Sequence, residues 1–219
     1  MITKKRMPVI ISPATTASSI LRKVFMSVLF FRLPNYKKNW HLYVSNALEM
    51  KLSARSKVIA GLGSNMGDRP AALARAIELV REEAGEVTAV SSVWATEPWG
   101  FDADEQFLNM VIVIETAMEP WQLLQLFRSI EGRMGRSRSG RGSYESRIID
   151  LDILLWEERI ISMPGLEVPH PRLADRRFVL EPLFEVAPAA VHPVTGLTVA
   201  EMLGMCDDRS DVRLAGQQL

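Results

Sequence analysis

Residues 57–207 predict an α+β fold built on an antiparallel sheet, and three observations carry that expectation. Apolar runs of strand length and amphipathic stretches of helix length follow in the order β-α-β-β-α-β. The elements succeed one another quickly, with no low-complexity linker. No internal repeat divides the segment. That order is the ferredoxin-like βαββαβ arrangement, an antiparallel sheet with helices on one face, here followed by a C-terminal extension.

Each element has a local reason. Val58 to Leu62 is a short apolar strand that runs into Gly61-Leu-Gly63-Ser64-Asn65. Asp68 is placed to cap a helix at Asp68-Arg69-Pro70, and Ala71 to Glu83 carries a Leu73, Ile77, Val80 stripe that Gly85 ends. Val87 to Ala95 reads as a second strand and Phe107 to Thr116 as a third, centred on Val111-Ile-Val-Ile114. Pro120 opens a second helix with Leu123, Leu124, Phe127 and Ile130, and a fourth strand covers Ile148 to Leu155. A Val168-Pro-His-Pro171 turn, a helix near Phe178 to Val186 and a closing helix near Val199 to Met205 complete the domain, leaving 208–219 as a tail.

The net charge of zero conceals an asymmetry. Residues 1–56 hold ten Lys or Arg and one acidic residue, Glu49, so this segment carries +9 and the remainder −9. The mostly apolar stretch Val24–Phe31 is far shorter than the roughly 20 residues a membrane span needs. The segment 1–56 is read as a basic N-terminal extension outside the domain. It is either a disordered, surface or targeting segment, or an artefact of a reading frame extended upstream of Met50. Cys206 is alone, which excludes an intrachain disulfide and fits a reducing cytoplasm. An acidic body repels a polyanion and the strands carry no RNA-binding aromatic pattern, so neither nucleic acid nor membrane is an expected partner.

The chemistry concentrates around Asp150-Leu-Asp152. Side chains two apart on a strand share a face, which sets these carboxylates about 6–7 Å apart. At an effective dielectric of about 20 they repel by roughly 2–3 kcal/mol. Either the pair sits at a wet edge beside arginines, or a hard cation compensates it; oxygen ligands without Cys or His at ligand spacing favour Mg²⁺ over zinc. Upstream, Arg133, Arg136, Arg138, Arg141 and Arg147 fall within fifteen residues rich in Gly and Ser. Such a loop is a solvated basic segment or a clamp for phosphates. No GxxxxGK[ST] stretch exists, so a Walker site is excluded. Trp99, Phe101, Phe107 and Phe178 bracket loops and can sandwich a flat heterocycle, with Asn109 and the Thr96 region offering hydrogen bonds to its edge. His170 stands between two prolines near Arg172, Arg176 and Arg177, as a structural turn residue or a phosphate contact.

Seven motifs then occur in order: Gly63-Ser-Asn65, Thr96-x-Pro-x-Gly, Phe107-Leu-Asn109, Gly135-Arg-x-Arg138, Arg147-x-x-Asp-Leu-Asp-Ile-Leu, Val168-Pro-His170 and Arg176-x-Phe178. Over about residues 57 to 195 the chain resembles the 6-hydroxymethyl-7,8-dihydropterin pyrophosphokinase family of folate biosynthesis. The resemblance implies a Mg-dependent ATP diphosphotransferase that moves the β,γ-pyrophosphoryl group of ATP to the pterin hydroxymethyl oxygen and releases AMP. It implies two Mg²⁺ ions on Asp150 and Asp152, with Arg136 and Arg147 as catalytic arginines. Arg138, His170 and Arg176 match ATP-facing positions, and Ile153 and Leu166 match the adenine surroundings. Thr96, Glu97, Pro98, Trp99, Phe107, Asn109 and Phe178 match the pterin site.

The chain departs from that pattern in two places. Tyr144-Glu-Ser-Arg147 replaces a Trp-Gly-Pro-Arg stretch, so Tyr144 is the candidate lid aromatic. The often aromatic position after the His is Pro171. A monomer or weak dimer in the cytoplasm, with ATP and the pterin as its partners, is the expected working form.

Overall fold

The computed structural model describes residues 55–96, 106–135 and 147–216. The element order is β1 (Ser56–Ser64), α1 (Arg69–Glu83), β2 (Glu86–Val90), β3 (Val93–Thr96), β4 (Phe107–Thr116), α2 (Pro120–Arg133), β5 (Asp150–Trp156), β6 (Ile161–Met163), β7 (Leu166–Val168), α3 (Arg177–Val186), α4 (Val199–Met205) and β8 (Val212–Gly216). Strands β5-β1-β4-β3-β8 lie side by side in a six-stranded sheet, with β2 also paired to β4. Each of these pairings is antiparallel.

Local chemistry sets the element ends. The Asp68 carboxylate accepts a hydrogen bond from Ala71 N at 3.1 Å, which caps α1 one residue before Arg69-Pro70. Beyond α1 the chain turns at Gly85 with φ of 145°, where a Cβ would stand 2.3 Å from the Glu115 carbonyl oxygen; only glycine fits there. At α4, Thr198 Oγ1 accepts from Glu201 N while the Glu201 carboxylate accepts from Thr198 N, a reciprocal cap.

The sheet is covered on both faces. Against one face, Leu73, Ile77 and Val80 of α1 and Leu123, Phe127 and Ile130 of α2 pack on Val58, Ala60, Leu62, Ile112 and Ile114. Against the other, Leu180 and Leu183 of α3 and Val199 and Met202 of α4 pack on Ile59, Val111, Val113, Leu154 and Leu155. The two helices expected on one face are joined by a C-terminal extension that forms a second layer opposite them. Strand β4 is therefore apolar on both sides, which is why it reads as an unbroken hydrophobic run.

Three features differ from the sequence expectation. The single strand expected over Val87 to Ala95 is two, β2 and β3, separated at Ser91-Ser92. Ser91 Oγ accepts from Val111 N at 2.9 Å, and both Ser92 N and Ser92 Oγ donate to the Glu185 carboxylate of α3. Serine side chains thus take over hydrogen bonding where the ladder breaks. A two-stranded β6-β7 hairpin follows β5. Residues 212–216, taken from sequence as tail, add β8 to the sheet against β3.

Candidate active site

One row across the sheet organises the site. In register, Asp150 of β5 faces Gly63 of β1, and Gly63 faces Asn109 of β4. One step along, Asp152 faces Gly61, which faces Val111. Side chains in these rows project toward the α3 side, because successive residues alternate and Leu62 and Leu151 point into the opposite core. The two glycines leave bare backbone between the carboxylates and Asn109. Leu62 aside, the cleft above that floor is walled by Thr96, Phe107, Asn109, Arg147, His170, Arg176 and Phe178, and holds about 800 Å³ of empty space including its open mouth.

One end of the cleft is charged. Arg147 Nη1 pairs with the Asp150 carboxylate. Asp152 binds protons more tightly than usual, its pKa pushed up to about 7, first by burial and then by the nearby Asp150 and Glu131 carboxylates; Arg176 and Arg147 pull the other way. The Glu131 carboxylate is buried on the far side of β5 and accepts from Leu151 N, between the two aspartates, at 3.0 Å. A carboxylate pair crowded enough to favour a proton at neutral pH fits a divalent cation, which would occupy the same negative field without neutralising a ligand. Oxygen donors from two side chains suit a hard ion that keeps water in its shell. Among the described residues no cluster of three or more His, Cys, Asp or Glu competes for that role.

His170 is neutral at pH 7, its pKa lowered to about 4 by burial and by Arg176 and Arg172, with Asp150 opposing. Its Nδ1 accepts from Arg172 N at 3.2 Å, so the imidazole proton sits on Nε2 as a donor. The His170 N–H donates to Leu154 O at 2.9 Å, which ties the turn to β5.

The other end is neutral and flat. Asn109 is 8% exposed and donates from Nδ2 to Thr96 Oγ1 at 2.8 Å. A buried polar amide near the start of an apolar strand is costly unless its hydrogen bonds are met, and the Thr96 contact fixes its orientation. Phe107 and Phe178 line the same cleft, and the Arg176 guanidinium lies 5.5 Å from the Phe178 ring centre.

The structure thus brings nine sequence-identified residues to one cleft: Thr96, Phe107, Asn109, Arg147, Asp150, Asp152, His170, Arg176 and Phe178. Ile153 and Leu166 do not line it. Both are buried in the core on the α1–α2 side, because Ile153 alternates with Asp152 and Leu166 sits in the β6-β7 hairpin packed there. Glu97, Pro98, Trp99, Arg136, Arg138 and Tyr144 lie outside the described residues. Sequence reasoning missed Gly61 and Gly63 as a floor, and it missed Glu131. The Glu131 signal was present: it falls four residues after Phe127, on the core face of α2.

A neutral aromatic slot beside an arginine–carboxylate end, set on an antiparallel α+β sheet, is a cleft with the chemistry to take a flat heterocycle next to phosphate groups. The family model for 7,8-dihydro-6-hydroxymethylpterin-pyrophosphokinase (HPPK) matches residues 59–188, and the chain belongs to that family. The 2-amino-4-hydroxy-6-hydroxymethyldihydropteridine pyrophosphokinase of Bacillus subtilis is 45% identical over 126 residues, 57% of this chain and 74% of its own. The enzyme of the same name from Methylorubrum extorquens is 40% identical over 153 residues, 69% of this chain and 94% of its own. A crystal structure of a Plasmodium falciparum HPPK-DHPS triple mutant with SDX-DHP has a similar fold, with a TM-score of 0.57 at 17% identity over 72% of this chain. The present chain spans 46% of that longer protein.

Proposed function

We propose that this protein transfers the β,γ-pyrophosphoryl group of ATP to the hydroxymethyl oxygen of 6-hydroxymethyl-7,8-dihydropterin. The products are the pterin diphosphate and AMP, and the step belongs to tetrahydrofolate synthesis. Membership of the pyrophosphokinase family supports the reaction. The observation that carries the assignment of residues is the two-ended cleft over Gly63. The strand order β5-β1-β4-β3 supports reading the sheet as ferredoxin-like, with β2 and β3 together as its second strand.

The neutral end suits the pterin. Asn109, its Nδ2 tied to Thr96, presents the rest of its amide to a heterocycle edge, and Phe107 and Phe178 hold the ring by stacking. The charged end suits the triphosphate. Arg147 and Arg176 neutralise negative charge as it shifts toward the α–β bridging oxygen, and His170 donates from Nε2 without adding a charge. Arg136 and Arg138 extend that set by family resemblance, as Tyr144 does for the lid and Glu97, Pro98 and Trp99 for the pterin side. Asp150 and Asp152 would hold Mg²⁺, as two ions by the same resemblance; bound there, the metal would screen the phosphates and acidify the attacking hydroxyl. Proximity supplies much of the remaining rate, since two reactants fixed on one floor no longer pay for meeting.

The test is product identity. With ATP, Mg²⁺ and 6-hydroxymethyl-7,8-dihydropterin, AMP and the pterin diphosphate are expected in equal amounts. ADP with a pterin monophosphate would make the protein an ordinary kinase and end this assignment, however fast the reaction.

A further inference from the structure

We infer that the pyrophosphoryl transfer point lies directly over Gly63, and that the missing side chain there sets how closely the two substrates approach. The inference rests on the reading of the cleft as a pyrophosphokinase site. Gly63 is paired with Asn109 on one side and Asp150 on the other. Adjacent strands lie about 4.8 Å apart, so the neutral and charged halves of the cleft are centred about 10 Å apart, with Gly63 midway. A reacting oxygen and phosphorus must come within about 3–3.5 Å of each other. In that span the floor is backbone only.

A Cβ built on Gly63 meets one atom within 4 Å, Asn109 Oδ1 at 3.2 Å. A methyl group there meets no backbone; it intrudes on the cleft and on the Asn109 amide oxygen, which must give by a few tenths of an ångström. Nor does the backbone demand glycine, since Gly63 is not among the positive-φ glycines. The requirement for glycine is set by what must fit above it. Gly61, the other floor glycine, differs: its added Cβ would rest on Leu154 at 3.4 Å, an ordinary packing contact.

The test uses the full chain with Gly63→Ala and Gly63→Val. Dissociation constants are measured separately for 6-hydroxymethyl-7,8-dihydropterin and for the Mg²⁺ complex of α,β-methylene-ATP, alongside kcat and the thermal midpoint. For Gly63→Ala, kcat is expected to fall about 10²-fold, the scale of an ångström-sized misplacement. The dissociation constant of the ATP analogue should hold nearly constant, and that of the pterin, whose anchor Asn109 the methyl touches, should rise far less than kcat falls. The Val variant should lose more kcat than the Ala variant. Unchanged kcat in Gly63→Ala overturns the inference, and so does a loss confined to the affinity for one substrate.

A second measurement needs no variant. In the wild-type ternary complex with the ATP analogue, the hydroxymethyl protons of the pterin should show nuclear Overhauser contacts to the cleft-facing Hα of Gly63. Their absence, with contacts to other residues present, overturns the inference even if the variants unfold. A wild-type protein that makes no AMP would instead defeat the functional reading itself.

Discussion

His170 provides a test in which the sign and the size both follow from the site. Burial and the Arg176 and Arg172 guanidiniums lower its pKa from 6.5 to about 4. Between those two values the unfolded chain takes up a proton that the folded protein refuses. The stability tied to the neutral imidazole is therefore complete above pH 6.5 and is lost as the pH falls toward 4. At pH 7 the linkage penalty is about 0.2 kcal/mol, and at pH 5 it is about 2 kcal/mol, from the two pKa values at 1.36 kcal/mol per unit. The informative substitution is His170→Asn, whose Oδ1 stands near the Nδ1 position that accepts from Arg172 N. It keeps the turn's acceptor and removes the titration. Urea unfolding of both proteins at pH 7 and pH 5 reads the effect. Whatever packing the substitution costs is common to the two conditions and cancels. The wild type should lose about 2 kcal/mol more than the variant between pH 7 and pH 5, a relative midpoint shift of about 1 M at an m-value near 2 kcal/mol/M. Equal losses in the two proteins would refute the argument, because His170 would then titrate alike folded and unfolded. The outcome bears on the proposed role, in which a neutral His170 would reach phosphate as an Nε2 donor and an imidazolium would reach it as a cation.

Other substitutions separate charge, anchoring and packing. Asp150→Asn or Asp152→Asn keeps shape and removes the charge that would hold Mg²⁺, so turnover should fall by roughly two orders of magnitude or more in a folded protein, about 3 kcal/mol of transition-state stabilisation; near-normal turnover in either would remove the metal assignment. Asn65 holds Arg147 at two points, its Oδ1 accepting from Arg147 N at 2.7 Å and its N–H donating to Arg147 O at 3.2 Å. Asn65→Ala should therefore lower kcat about tenfold through a displaced Arg147, with pterin affinity unchanged by calorimetry. Phe127 is 1% exposed between α2 and the sheet, and Phe127→Ala should cost about 3–5 kcal/mol in denaturant unfolding.

The legible parts of this fold were those set by local periodicity. The span of β4 matches the sequence expectation because it is a nearly unbroken apolar run, and the start of α2 and the whole of α4 match because each carries a cap of its own. Strands β6 and β7 are three residues each, too short for alternation to register. Strand β8 lies at the sheet edge with Leu214 exposed, so its sequence carries little burial signal. The break between β2 and β3 depends on Glu185, more than ninety residues downstream, and nothing near Ser91-Ser92 announces it.

The same division runs through the site. Strand parity alone placed Asp150 and Asp152 on one face, and the two do share the cleft. Parity also puts Ile153 on the opposite face, which is why a position matched to the adenine surroundings lies in the core. Beyond it parity fails. The β1-β5 register shifts between Ile59 and Ala60, so Leu154 and Leu155 both pack on the α3 side and Trp156 returns to the other core. The bulge therefore begins two residues after Asp152: the strand is regular where it aims the carboxylates and irregular just below them. That extra residue sets Leu154 against Gly61 and lets its carbonyl receive the His170 N–H, which brings the histidine turn to the charged end of the cleft. Cross-strand register and bulges are non-local quantities. The glycine floor and the approach of His170 emerge only when β1, β4 and β5 are laid side by side.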